Sequence, residues 1–450
     1  MLKKKILAAS LVALLNGAYT ANAEVSADEA SKLKKELTPL GAERAGNKDG
    51  SIPPWDGGIT ATVPGPKMGD IPTALFQNEK PIAQISAKNM AQFADKLSEG
   101  VQAMMKKYPE SFRVDVYQTH RTAAVPSWIA DNTYKNAVRC KTKDGGLSLE
   151  GCYGGIPFPI PKSGVEAIWN HQLRIEPESK DFVFKNYAGS SDGSRALASS
   201  NKTNHQHPYY YKGGSAEKWD GDYRLIRMYQ TDPPFKAGES LVIRDNVEMD
   251  KARQAWQYLV GQRRVRRAPT VAYDTPDFVT SGAVYFDEVM GFMGAVDRFQ
   301  WKILGKKELY VPYNNNAFMG TKTDEAFVKY HLNPDKVRWE LHRVWIVEAT
   351  VAPGKRHAVA KRRFYLDEDT WISVLADGYD AEGKLWRTTQ VLPFVDPAIP
   401  AVVMLPEIVY NLQANTFGVV AMLNDETYVA KPPKPDSWFT GDALGAEGTR

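Results

Sequence analysis

The spacing of apolar and polar residues divides the chain into a first part with a few helices and a second part rich in strands. After about residue 220, short runs of β-branched and aromatic residues alternate with turn residues. Such runs at this spacing predict one large antiparallel sheet, curved or closed. The predicted strands are 223–230, 239–247, 255–267, 283–290, 297–304, 337–351, 358–366, 370–379, 384–391 and 408–423.

The run that begins at Val337 shows the alternation most clearly. Its odd-numbered positions are mostly apolar and include Trp339, Leu341 and Trp345, with Arg343 as the exception. Its even-numbered positions begin with charged and polar residues. Because successive side chains of a strand point to opposite faces, one face of the sheet is predicted to be apolar and aromatic. An apolar sheet face needs a cover, which amphipathic helices can provide.

Three helices are predicted in the first part. The first begins at Ser26, where Glu29 completes a capping box, and runs to Leu37. The second spans about 87–107, where apolar residues recur at helical spacing. The third begins at Ser163. Residues 41–72 are rich in glycine and proline and predict an extended arm, and 188–206 predict an exposed polar loop.

The first 23 residues have the features of a secretory signal peptide. A basic start is followed by a short apolar stretch and by Ala21-Asn22-Ala23, which predicts cleavage before Glu24. The stretch is shorter than the roughly 20 residues that a membrane span needs. We therefore expect an exported, periplasmic protein. The predicted organisation is signal peptide 1–23, arm and capping helices 24–215, sheet 216–430 and a surface strap 431–450, with 24–430 as one continuous domain as the alternative.

Cys140 and Cys152 are the two cysteines of the 450-residue chain. An even pair twelve positions apart around Gly145-Gly146, in an oxidising compartment, predicts a disulfide that closes a hairpin-like loop. A metal site or a catalytic thiol is the alternative, but neither a CxxC motif nor a histidine lies nearby.

Net charge and composition exclude some classes of protein. The formal net charge is +4 and falls to +1 without Lys3, Lys4 and Lys5 of the signal peptide, which argues against a nucleic-acid-binding protein. Aromatic residues make up 11% of the chain, which excludes general disorder. The strongest charge feature is the arginine cluster 263–267. It is either a site for an anionic head group or partner, or a solvated strand paired with acidic neighbours.

The search for catalytic or metal-binding motifs finds two weak matches. Gly189 to Gly193 fits the GxSxG pattern of hydrolases, but it lies among polar residues without the strand and helix that the motif requires. His205 and His207 form an HxH pair, for which surface histidines are the alternative interpretation. Walker and dinucleotide-binding patterns are absent from the sequence. We therefore predict a protein that is not an enzyme and needs no cofactor or metal.

Three motifs resemble a known family. The segments GAERAGNKDGSIPPWDGGI (41–59), IPFPIPKSGVEAIWNH (156–171) and the block 342–387 resemble, in this order, the DUF1329 family of exported bacterial proteins. That family is similar to the periplasmic carriers and acceptors that sort outer-membrane lipoproteins. The segment 255–267 resembles a strand of this broader group, in which a proline usually stands where this chain has Val260.

The resemblance implies an α+β, β-rich fold in which a large curved antiparallel sheet forms an open, incomplete β-barrel capped by helices around a hydrophobic cavity. It implies a periplasmic carrier of a hydrophobic or lipid-like molecule, acting beside an RND-type exporter and an outer-membrane protein. We expect an apolar wall and a polar head or partner contact. The expected wall residues are Trp256, Tyr258, Trp339, Leu341 and Trp345, and the expected polar contacts are Arg264 and Arg267.

Two other functions are weighed against the carrier. A hydrolase of ester substrates requires a serine, a histidine and an acid to converge in the folded molecule. A structural adaptor without a ligand would dock to an exporter subunit through the basic strand 263–267.

Overall fold

The computed structural model describes residues 25–63, 65, 70–251, 253–396 and 398–448. The predicted signal peptide lies outside these residues. The described chain forms eighteen strands and six α-helices. The strands are β1 (Ala83–Ile85), β2 (Val114–Val116), β3 (Lys141–Lys143), β4 (Ser148–Glu150), β5 (Ser179–Gly189), β6 (Arg195–Gln206), β7 (Asp222–Asp232), β8 (Ser240–Asn246), β9 (Arg253–Leu259), β10 (Arg264–Arg267), β11 (Phe299–Pro312), β12 (Trp339–Val351), β13 (Lys361–Asp367), β14 (Ser373–Tyr379), β15 (Leu385–Val395), β16 (Val402–Asn411), β17 (Thr416–Met422) and β18 (Tyr428–Ala430). The α-helices are α1 (Ala27–Ser31), α2 (Glu99–Lys107), α3 (Ser127–Arg139), α4 (Gly164–Gln172), α5 (Asn316–Met319) and α6 (Gly441–Gly448).

Sixteen of these strands form one open sheet. Its order is β1-β2-β12-β13-β14-β15-β16-β17-β5-β6-β7-β8-β9-β10, while β11 pairs with β12 and β18 with β5. Neighbouring strands are antiparallel, except that β12 meets β2 in parallel at Trp339 and Val116. The sheet does not close, because β1 and β10 remain as edges. The prediction of a β-rich fold with a large, incompletely closed sheet is confirmed.

Helices pack on both faces of the sheet. Val101 and Met104 of α2 enter the larger hydrophobic core, whereas Ile168 and Trp169 of α4 enter a second core on the β11–β12 side. The predicted helix starts at Ser26 and Ser163 are present, and both serine hydroxyls accept a backbone hydrogen bond. The predicted helix 87–107 is a 3-10 helix and α2 in succession, because the chain turns at Ser98, which caps α2.

The prediction of an exposed loop over 188–206 is wrong except at 190–194, because β5 runs to Gly189 and β6 begins at Arg195 inside the sheet. Much of β6 is buried although its residues are polar. The amide of Asn186 donates to the Ser199 hydroxyl at 3.0 Å, and the amide of Asn204 donates to the Ser179 hydroxyl at 3.1 Å. These contacts offset part of the desolvation cost of burying the strand. They do not offset all of it, because Asn201 Oδ1, Asn204 Oδ1 and His205 Nδ1 have no hydrogen-bond partner among the described residues.

The predicted strand 283–290 is also wrong, because this stretch belongs to an irregular segment that covers the sheet. We call residues 269–298 the cover. It contains four short 3-10 helices, at Pro269–Ala272, Phe278–Thr280, Phe286–Glu288 and Val296–Arg298. Most of its apolar residues pack into the larger core against the sheet, whereas Phe292 and Val296 pack into the second core.

The disulfide between Cys140 and Cys152 is confirmed, and it joins the end of α3 to the residues after the hairpin β3–β4. At the other end of the chain, the strap folds back on the sheet. Phe439 and Leu444 pack against Leu225 and Val242 on the face opposite the cover. In the part of the chain that the structure describes, none of the helices has the length and apolarity needed to cross a membrane.

Candidate ligand-binding cleft

An apolar cleft lies between the sheet and the cover. Its volume is about 70 Å³. Strands β5 to β8, β16 and β17 form its floor, and residues 277–293 of the cover form its roof. The lining residues are Phe182, Phe184, Asn186, His205, Ile226, Met228, Leu241, Ile243, Asp277, Val279, Phe286, Val289, Met290, Met293, Leu405, Val420 and Ala421.

The floor is apolar because alternate residues of neighbouring strands stand in register. Ile226 of β7 is opposite Ile243 of β8, and Met228 is opposite Leu241. All four line the cleft, while the residues between them face the other side of the sheet. The cleft is thus formed by the two-residue periodicity of β7 and β8 together with the methionine, phenylalanine and valine side chains of the cover.

Three lining residues are polar, and two of them are engaged within the protein. The side-chain oxygen Oδ1 of Asn186 accepts from the backbone N–H of Ala421 at 2.8 Å. The Asp277 carboxyl accepts from the backbone N–H of Val279 at 2.8 Å. Burial raises the pKa of Asp277 to about 7, because the apolar surroundings disfavour the charged carboxylate. Asp277 can therefore present an uncharged carboxylic acid to the cleft at mildly acidic pH.

His205 is the third polar residue of the lining. His205 is 5% exposed, and its Nδ1 has no hydrogen-bond partner among the described residues. Burial holds the pKa of His205 well below its usual range, so that the imidazole is neutral. A buried polar atom without a partner costs about 1–3 kcal/mol. His205 therefore brings an unpaired, neutral polar group to the lining of the cleft.

The part of the cover after residue 284 is fixed to the sheet by buried polar contacts. The Glu407 carboxyl group on β16 accepts from the backbone N–H groups of Met290 and Gly291 at 2.8 and 2.7 Å. The Arg387 guanidinium donates to both carboxylate oxygens of Glu288 at 2.5 and 2.7 Å. These contacts hold the roof of the cleft at a defined distance from its floor.

The predicted wall residues lie in three separate hydrophobic clusters. Trp256 and Tyr258 pack against the C-terminal strap on the face opposite the cleft. Trp339 and Leu341 are buried in the larger core, and Trp345 lies partly buried in the second core with its ring centroid 5.9 Å from that of Trp371. None of the five lines the cleft. A role for them in ligand binding stays a prediction.

The two predicted arginines lie on β10, the edge strand. Arg267 is opposite Trp256 in the β9–β10 register, and its guanidinium lies 5.8 Å from the centre of the Trp256 ring. Arg264 is opposite Leu259 in the same register. It therefore lies on the other face of the strand pair, which is the face that carries Ala255 and the cleft. Neither lines the cleft directly.

A buried cluster of one histidine and two acids lies elsewhere. His342, Asp367 and Asp369 offer ligand atoms within 4.8 Å of one another. However, the Arg121 guanidinium donates to both carboxylate oxygens of Asp369 at 2.7 and 2.9 Å. The same guanidinium also donates to the backbone carbonyl of Glu43. We interpret this cluster as a structural ion network that fixes the N-terminal arm to β12 and β13.

The GxSxG segment forms the exposed turn between β5 and β6. The Ser190 hydroxyl donates to the Asp192 carboxylate at 2.8 Å, and the Ser191 carbonyl accepts from the Asn415 amide. Within the described chain, neither serine is hydrogen-bonded to a histidine. The turn therefore lacks the contacts by which a serine nucleophile is activated.

Comparison with known proteins adds the family. The model of the family described as "Protein of unknown function (DUF1329)" matches residues 84–445. The chain belongs to the DUF1329 family. An uncharacterized protein of Pseudomonas aeruginosa, PA3922, is 38% identical over 464 residues, which cover 99% of each chain.

Solved structures similar to this DUF1329 protein share little sequence with it. A DUF1329 family protein from Desulfovibrio piger is 14% identical and matches 62% of this chain and 95% of its own, with a TM-score of 0.42. A putative outer-membrane lipoprotein-sorting protein domain from Vibrio parahaemolyticus is 12% identical, covering 63% and 98% of the two chains, also with a TM-score of 0.42. The LolA superfamily protein NE2245 from Nitrosomonas europaea is 12% identical, covering 63% and 100%, with a TM-score of 0.37.

Proposed function

We propose that this DUF1329 protein binds a hydrophobic or lipid-like molecule in the cleft and carries it within the periplasm. The observation that supports this proposal is the chemistry of the cleft, whose lining is apolar at all but three residues. Apolar walls with a few polar groups are typical of small-molecule sites, which usually measure about 300–1,000 Å³. The neutral His205 ring and the Asp277 carboxyl are such polar groups. The cleft itself holds about 70 Å³, so binding requires the cover to move away from the sheet.

The expected affinity suits a carrier. With the cover displaced from the sheet, a fully inserted sixteen-carbon chain would bury about 15 methylenes at about 0.8 kcal/mol each, or about 12 kcal/mol in total. Association costs of about 4–15 kcal/mol cancel much of this. The net affinity is therefore modest, and the ligand can be released again. We further propose that release takes place to an RND-type exporter or an outer-membrane protein, which co-purification from the cell envelope would test.

Filling the cleft tests the proposal. Leu241 lies on the cleft floor, so we expect Leu241→Trp to place an indole in the empty space and to abolish binding of a fluorescent long-chain fatty acid. Leu304→Trp is the matched control, because Leu304 is 44% exposed and lies on β11, outside the cleft lining. The wild type should also release a bound amphiphile in native mass spectrometry. Equal binding by both variants, or no binding by the wild type after delipidation, would contradict the proposal.

A further inference from the structure

One end of the sheet carries exposed apolar side chains on two adjacent connections. Strands β7 to β10 are consecutive antiparallel neighbours, so the β7–β8 loop and the β9–β10 turn lie at the same end. A Cβ placed on Gly238 of the loop would lie 2.9 Å from the Val260 side chain of the turn, so the two connections touch. We call residues 233–238 and 260–264 together the rim.

The rim exposes its apolar residues to solvent. Phe235 is 80% exposed, more than any other large apolar side chain in the described ranges, and Val260 is 40% exposed. Single exposed apolar residues are common, but an exposed phenylalanine and an exposed valine on two connections in contact form a patch.

The rim is also basic. Arg263 and Arg264 belong to the turn, and Arg266 and Arg267 follow on β10. In the described chain none of the four forms an ion pair, although Arg264 donates to the Gln262 side chain at 3.3 Å. Buried arginines such as Arg387 do have carboxylate partners. The strand is solvated, as one of the two interpretations expects, but its arginines have no acidic partners among the described residues, and their charges are available to a partner. Two acids, at positions 232 and 239, flank the β7–β8 loop.

The rim touches the cover of the cleft. The Lys236 ammonium donates to the Phe278 carbonyl and to the Ser281 hydroxyl, both at 3.1 Å. Phe278 is next to Val279, which lines the roof. Across the sheet, Met228 and Leu241 of the cleft floor stand in one row with Gln257 and Arg266 of the edge. A partner bound to the rim would therefore lie next to the cover of the cleft.

We propose that the rim docks the protein on an anionic membrane surface. Phe235 and Val260 enter the head-group region, and the arginines contact lipid phosphates. Exposed aromatic and aliphatic tips next to arginines fit a lipid interface, where apolar groups and cationic groups are accommodated at adjacent depths. A stable protein partner instead buries about 800 Å² on each side around an apolar centre, and the rim offers only two apolar tips. Membrane docking would help to deliver a ligand only if the proposed carrier function holds. Docking itself does not depend on a bound ligand.

Vesicle flotation tests this proposal with the signal-free full-length protein. We expect binding to vesicles of phosphatidylcholine and phosphatidylglycerol in equal parts, weak binding to phosphatidylcholine alone, and a decrease with salt because the charges are screened. Each arginine near an anionic surface contributes about fivefold in affinity, so Arg263→Gln with Arg264→Gln should weaken binding about 25-fold. Phe235→Ser should weaken it about tenfold.

Matched controls lie elsewhere on the surface. Ile82 is 71% exposed next to the opposite edge strand, and Arg356 is exposed on the β12–β13 connection, so Ile82→Ser and Arg356→Gln should bind vesicles like the wild type. The proposal would be overturned if the control variants lost as much vesicle binding as the rim variants, or if the wild type did not bind the anionic vesicles. Binding of an acidic protein without vesicle binding would also overturn it, in favour of protein docking. Leu241→Trp separates the two proposals, since it should lose the ligand and still bind vesicles.

Discussion

Glu407 allows a pH-dependent test of how the cover is held. This residue on β16 is 1% exposed and accepts the backbone N–H groups of Met290 and Gly291. Burial raises the pKa of Glu407 to about 8; the two backbone hydrogen bonds and the Arg174 charge oppose the rise, and Glu288 adds to it. The folded protein therefore keeps this carboxyl protonated at neutral pH, whereas the unfolded chain does not.

The magnitude follows from the two pKa values. An unperturbed glutamate titrates near 4.5, so the contribution of Glu407 to stability is present in full below pH 4.5 and is lost as the pH rises through 8. Each pH unit within this window corresponds to about 1.4 kcal/mol. Between pH 5.5 and pH 8, the free energy of unfolding of the wild type should therefore fall by about 3 kcal/mol more than that of Glu407→Gln, which cannot ionise.

Urea unfolding followed by tryptophan fluorescence at pH 5.5, 7 and 8.5 measures this difference. Glu382→Gln, in the exposed turn before β15, is the control and should keep the pH dependence of the wild type. If Glu407→Gln and the wild type lose stability in parallel as the pH rises, the carboxyl is ionised in the folded state and the reasoning is refuted. Should Glu407→Gln not fold, a wild-type stability that is constant from pH 5.5 to 8 refutes it equally.

Two further predictions concern stability. Replacing Cys140 and Cys152 by serine should lower the free energy of unfolding by about 3 kcal/mol, since the bridge restricts the unfolded chain; urea unfolding of the reduced wild type should give the same value, and an unchanged midpoint contradicts it. Arg121→Met leaves the buried Asp369 carboxylate without its partner and should cost about 3–5 kcal/mol. Limited proteolysis should then cleave within 43–55 first, and cleavage elsewhere contradicts the proposed role of Arg121 in holding the arm.

The sequence predicts those parts of the fold in which local pattern and burial agree. Strands β7, β8 and β12 to β15 alternate or are continuously apolar, and the structure has them close to the predicted bounds. The run 255–267 is instead a hairpin, because the chain turns at 260–262 and Arg263 adopts a left-handed backbone with φ of 48°. Sequence alone gives no sign of this turn except Gly261. Likewise β6 is concealed by serines and asparagines whose partners lie on other strands.

The cleft could be predicted only as a kind of site, not as a set of residues. An apolar sheet face with an incomplete cover follows from the alternation, but its position depends on which segment becomes the cover. Phe286 and Met290 belong to the predicted strand 283–290, yet buried partners from other elements, among them Glu407 and Arg387, hold the segment in an irregular form. Trp256 and Tyr258, which the sequence predicts as wall residues, instead pack against the strap.

The contacts of the cover indicate where a ligand would enter. Its second half is held by Asp287 and Glu288, which pair with Arg362 and Arg387, and by the backbone contacts of Glu407. The stretch 277–282 is held to the sheet and its loops by hydrogen bonds, for example from the Ser199 hydroxyl to the Val279 carbonyl. Among the described residues, this stretch forms no carboxylate–guanidinium pair. Hydrogen bonds of this kind contribute less than buried ion-paired ones. We therefore expect this stretch to move first, and it is the stretch that Lys236 of the rim contacts.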